Sequence, residues 1–126
     1  MDQKEYDLEQ SREELDKLVS LSADQADEAS WKAIVDKAES IYERYPESED
    51  IALRYAISLV YLAFVQVDES SRYTTAKEVQ GLYERYPESE DIALRYAEVL
   101  VYLAFVQVDE SSRYTTAKEV QGLYER

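Results

Sequence analysis

The sequence predicts an all-α chain: an αα-hairpin repeat solenoid with six helices in three hairpins. Three observations carry this expectation. Slid by 41 residues, Tyr42–Arg85 falls onto Tyr83–Arg126, and 42 of the 44 aligned pairs are identical. Only Ile57 against Glu98 and Ser58 against Val99 differ. A repeat of this length marks an array of stacked supersecondary units. Apolar residues also recur three or four apart over long stretches, as one face of a helix requires. Finally, two glycines and two prolines in 126 residues leave little material for turns, so the regular elements are long. The identity extends to polar positions such as Glu47, Glu49, Lys77 and Gln80. Packing does not fix surface residues, whose substitution usually changes stability by only about half a kcal/mol. The copies are therefore recently duplicated or deliberately built.

The first helix is expected from Asp2 to about Leu21. Leu8, Leu15, Leu18 and Val19 make a thin stripe among Glu, Asp and Gln, which suits a terminal capping helix. Ser22-Ala-Asp-Gln25 reads as a capping box, so the second helix is expected from about Ala23 to Arg44. Its apolar positions are Ala26, Ala33, Ile34, Ala38, Ile41 and Tyr45, with Trp31 as packing rather than a ligand platform. Pro46 ends it, because proline disfavours α conformation at Tyr45 and lacks the N–H that a helix interior needs.

Ser48 then caps the third helix, with Glu49 and Asp50 where the dipole favours anions. This helix, A of the repeat, is expected from about Glu49 to Gln66. It is apolar almost all round, which implies burial on most sides. Ala52, Ala56 and Ala63 let a neighbour approach closely. Val67–Ser71 breaks the pattern, and Asp68 or Ser70 caps helix B, which runs to about Arg85. Tyr73, Ala76, Val79, Leu82 and Tyr83 are its expected inward residues. Gly81 costs about 1 kcal/mol against alanine inside a helix, and close contact with the next helix A is the expected reason. Pro87 closes the repeat, Ser89 opens the second copy, and helices follow from about Glu90 to Gln107 and Ser111 to Arg126. The organisation is a single domain: residues 1–45 as a diverged capping hairpin, 46–86 as repeat 1, and 87–126 as repeat 2.

The residues resemble a tetratricopeptide-type repeat. Tyr73-Thr-Thr-Ala76 is similar to the aromatic-x-x-Ala start of that family's helix B. Pro46 and Pro87 resemble its repeat-closing proline, and Ala56 and Ala97, with Leu59 and Leu100 three further on, resemble its helix-A positions. The family repeat is about 34 residues. Here the extra residues fall in helix A and the A–B turn, giving a long-repeat variant. The resemblance implies a scaffold that binds peptides or partner proteins on its concave, helix-A face.

Charge narrows the function. The net charge of −14 opposes nucleic acid, whose affinity rests on Lys and Arg at phosphates, and anionic membrane surfaces. It favours a basic partner. There is no cysteine or histidine, so thiolate ligands and the commonest general base are missing. The recurring carboxylates Glu47/Glu49/Asp50, Asp68/Glu69 and Glu88/Glu90/Asp91 lack the glycine-centred spacing of a calcium loop and read as caps and solvated faces. No enzyme, catalytic residue, cofactor or metal site is expected. Met1-Asp-Gln-Lys-Glu carries no leader-like apolar core, and Leu59–Val65 is far short of the ~20 residues that cross a bilayer, so a cytoplasmic protein is expected.

The interaction candidates lie on helix A and at the last hairpin. Arg54, Ile57 and Tyr61, with Arg95, Glu98 and Tyr102, are the expected groove residues. Arg54 and Arg95, in an apolar helix, snorkel to a rim, pair with acids such as Glu49 or Glu90, or hold a ligand carboxylate. The place shared by Ile57 and Glu98 is partly exposed, or it changes environment along the array, since a buried unpaired Glu costs several kcal/mol. Val120, Leu123 and Tyr124 repeat the inter-hairpin contacts Val79, Leu82 and Tyr83. They are the expected self-association face, through which an isologous homodimer would form.

Overall fold

The computed structural model describes residues 3–22, 27–106 and 118–123. Five helices span α1 (Gln3–Ser22), α2 (Glu28–Arg44), α3 (Glu49–Val65), α4 (Glu69–Arg85) and α5 (Glu90–Val106). Residues 118–123 are also helical and are called α6. No strand occurs among the described residues. The fold is an array of packed helical hairpins, as the period requires.

The helix ends follow from their capping chemistry. Ser48 and Ser89 sit before α3 and α5, and their hydroxyls accept from the Ile51 and Ile92 amides, both at 3.2 Å. Asp68 caps α4 by accepting from the Ser71 amide at 2.8 Å. The Ser71 hydroxyl, which donates to the same carboxylate at 2.8 Å, and then the amide hold its carboxyl below the usual range. At Tyr45-Pro46-Glu47-Ser48 the Ser48 amide donates to the Tyr45 carbonyl at 3.0 Å, and Ser89 repeats this with Tyr86 at 3.1 Å. Proline presets the turn's second position. One helix start differs from expectation. α2 begins at Glu28, with Asp27 accepting from the Ser30 amide at 2.8 Å. Of the expected capping box, Ser22 is the last residue of α1, and residues 23–25 lie outside the described residues, as does Ala26.

The hairpins form two layers. α1, α3 and α5 lie side by side, since α1 packs on α3 and α3 on α5; α2 and α4 cover the junctions between them. α3 touches α1, α2, α4 and α5, so most of its nearly all-round apolar surface is covered. Ile51, Ala52, Ala56, Leu59, Val60 and Ala63 are all buried. The alanines permit the close approach.

Two expectations about α4 fail. Tyr73 is exposed, with the Lys77 ammonium 5.2 Å from its ring centroid. Thr75 takes the inward place, and its hydroxyl lies 2.8 Å from the Gln66 side-chain oxygen and 3.0 Å from the Ser71 carbonyl. A hydroxyl satisfied at two oxygens can enter the interior, whereas the large tyrosine is accommodated at the rim. Gly81 is exposed, and a Cβ built there would meet nothing within 4 Å. No close helix contact calls for it.

Candidate functional site

The expected groove residues are mostly engaged in holding one hairpin to the next. Arg54 reaches back to α1: its Nε and one terminal nitrogen donate to the two oxygens of Asp16 at 2.7 and 3.2 Å, and its other terminal nitrogen to the Asp50 carbonyl at 3.0 Å. Its partner is neither of the acids expected, because the acid comes from a neighbouring helix 38 residues away. Arg95, its repeat equivalent, instead turns onto Glu98 of its own helix at 3.2 Å. Tyr61 stacks on buried Trp31, with centroids 4.7 Å apart and planes 7° from parallel. Trp31 is therefore packing, as expected. Tyr102 contacts the Phe64 ring edge-on at 4.9 Å and donates its hydroxyl to the Phe64 carbonyl at 3.1 Å. Tyr86 similarly donates to the Pro46 carbonyl at 2.6 Å, tying one repeat-closing turn to the other.

Ile57 and Glu98 are both half-buried. That is the first of the two expected explanations for a place that accepts either residue. Ser58 is fully buried, and its hydroxyl donates to the Tyr55 carbonyl at 2.7 Å. Val99 fills the same place without a hydroxyl.

The open surface lies on α5. Leu94, Glu98, Val101 and Phe105 are spaced four, three and four apart, which puts them on one stripe. Their equivalents Leu53, Ile57, Val60 and Phe64 form the stripe of α3 turned to α5, as the Phe64–Tyr102 contact shows. The covering changes everything about identical residues. Val60 is 2% exposed and Val101 44%; Phe64 is 39% exposed and Phe105 82%. No described helix lies over the α5 stripe. A cleft of about 500 Å³, lined by Phe64, Glu98, Val101, Tyr102 and Phe105, opens there. A second, of about 310 Å³, lies between the Pro87 turn, Ala93, Leu94, Ala97 and Leu123.

Of the expected self-association residues, Val120 and Leu123 are half-buried and pack partly against the core. Leu123 also lines the second cleft. Tyr124 lies outside the described residues. Sequence reasoning missed Leu94, Val101 and Phe105. Their exposure has no local signal, because the same residues in α3 are covered to a far greater degree.

Where α3 meets the outer helices a buried tyrosine faces two carboxylates at the rim. The Tyr55 hydroxyl lies 3.0 Å from Glu39 and 3.3 Å from Glu78, on the two flanking helices. Burial, and then the neighbouring Glu78 charge, push its pKa far above the ordinary tyrosine range. Burial raises Glu78 also, aided by the charges of Glu39 and Asp36 and opposed by the Tyr55 hydrogen bond. Tyr96 repeats the arrangement with Glu119 at 3.2 Å. A phenol held protonated between carboxylates is a cross-brace between helices. Among the described residues, no group of three or more Asp or Glu side chains is placed to hold a metal ion, and no helix is long and apolar enough to cross a membrane.

No family model, no curated protein and no solved structure matches this chain.

Proposed function

We propose that the chain is a non-enzymatic, cytoplasmic scaffold for protein–protein contact, built of long tetratricopeptide-like repeats and presenting the α5 face to its partner. One observation carries this: the stripe Leu94–Val101–Phe105 is bare where the same residues in α3 are covered by a packed helix. A contiguous apolar patch rimmed by polar residues favours association, and burying one large apolar side chain contributes roughly 1.5–3 kcal/mol. The partner is a protein or peptide, or a second copy of the chain. Nucleic acid and anionic membranes are disfavoured by the charge of −14.

The alternative reading is a peptide-binding module that holds a basic or apolar segment along the inner layer. Glu98 inside the apolar cleft favours it, since a carboxylate beside aromatic and aliphatic walls suits a segment with one cation among apolar residues. Light scattering over a concentration series, followed by a peptide-array screen with the parent and with Val101→Glu, tests both readings. A chain that stays monomeric and retains no peptide, or that binds equally after Val101→Glu, would remove the α5 face from the account.

A further inference from the structure

We infer that the α5 face is a docking surface for a helical hairpin of this same repeat sequence, whose helix-A arginine it receives on Glu98. The inference rests on the interaction reading above and names the partner.

Contacts between neighbouring inner helices join residues 38 apart. Arg12 meets Asp50 at 3.4 Å and Asp16 meets Arg54 at 2.7 Å between α1 and α3. Phe64 meets Tyr102 between α3 and α5. One helix-to-helix transform therefore serves both junctions, including the one made by the diverged first hairpin. The sequence period is 41. An incoming copy of Arg95 would therefore meet the residue three places after Arg95, which is Glu98. An incoming copy of Tyr102 would meet Phe105 in the same way, as Tyr102 meets Phe64.

The charges fit this placement at each junction. Asp16 supplies the acid that receives Arg54. At the α3–α5 junction the corresponding residue is Ile57, which offers no acid, and Arg95 folds back onto Glu98 through a single terminal nitrogen. On the open face the corresponding residue is an acid again. Glu98 is one of only two departures from repeat identity within helix A, and it restores the Asp16 chemistry where the next arginine would arrive. Leu94, Val101 and Phe105 reproduce the apolar stripe that α5 covers on α3. A twofold pairing of two α5 helices fits less well. Antiparallel stripes would set the Glu98–Arg95 pair against Val101 of the other copy, and desolvating a charged pair on an apolar side chain is costly.

The test uses the full chain and a labelled synthetic peptide with the sequence of Pro46–Tyr86. Fluorescence anisotropy should show saturable one-to-one binding, weakened about tenfold or more by Glu98→Arg. Binding of the Glu98→Arg chain should be restored by a peptide carrying Arg54→Glu, a rescue that nonspecific apolar adhesion does not produce. A second measurement covers a peptide too short to order itself. In the chain extended by one such unit, a double-mutant cycle between Glu98 and the added unit's arginine should show coupling. Binding without charge-swap rescue, or a cycle with no coupling, overturns the inference. A homodimer that excludes the peptide and survives Glu98→Arg also overturns it and makes a second copy the occupant. An unrelated apolar or basic peptide binding where the repeat peptide does not would overturn it while leaving the scaffold reading standing.

Discussion

Val60 and Val101 offer a controlled comparison, because the sequence on both sides of them is the same apart from the two exchanged positions. Helix propensity, capping and the unfolded-state contribution therefore nearly cancel between Val60→Ala and Val101→Ala. What remains is coverage. Val60 is 2% exposed beneath α5, and Val101 is 44% exposed. Removing two buried carbons forfeits about 1.6 kcal/mol at roughly 0.8 kcal/mol per methylene. The cavity left behind brings the expected loss for Val60→Ala to about 2–2.5 kcal/mol. Val101 already stands partly in water and leaves no enclosed cavity, so its loss should be under about 1 kcal/mol. Urea unfolding at low micromolar protein would read the difference as a midpoint shift at unchanged slope. Equal losses, or a larger loss for Val101, would refute the reasoning that α5 is what buries the α3 stripe.

Gly81→Ala should stabilise the chain by up to about 1 kcal/mol, because the site is helical, exposed and free of neighbours within 4 Å; a lower urea midpoint would contradict this. Tyr86→Phe should cost about 1 kcal/mol by deleting the bond to the Pro46 carbonyl, and an unchanged midpoint would show that bond to be idle. The carboxyl of Glu78 is raised by burial above its ordinary value of 4.5. The native state thus holds its proton more tightly than the unfolded state does. Its contribution is greatest below that value and is lost as pH rises through the window just above it. Urea midpoints should therefore fall as pH rises above 4.5, and less so in Glu78→Gln; an equal or steeper fall in the variant would refute the assignment.

Much of the architecture was legible because it rests on local chemistry. Ser48, Ser89 and Asp68 offer side-chain oxygens to free helix amides, and Pro46 and Pro87 cannot continue the interior of the helix before them. The all-round apolar character of α3 implied burial, and the 41-residue period implied the same packing step again. The start of α2 was less legible, since several polar residues near position 25 compete to cap it and Asp27 does so. On α4, Ala76 faces inward as its spacing implied but Tyr73 does not; Thr75 goes inward instead, satisfied at Gln66 before the helix, which no spacing within α4 reveals.

The candidate site divides the same way. The sequence alone put Arg54, Ile57 and Tyr61 on one inner helix and Arg95, Glu98 and Tyr102 on the next. Only tertiary structure decided their partners. Asp16 lies 38 residues from Arg54, and no spacing rule within one helix could find it. Nor could any local rule separate Val60 from Val101 or Phe64 from Phe105, whose neighbours in sequence are the same. Burial belongs to the surface that arrives from elsewhere in the chain. For α3 that surface is α5, and the face of α5 itself has no described helix over it.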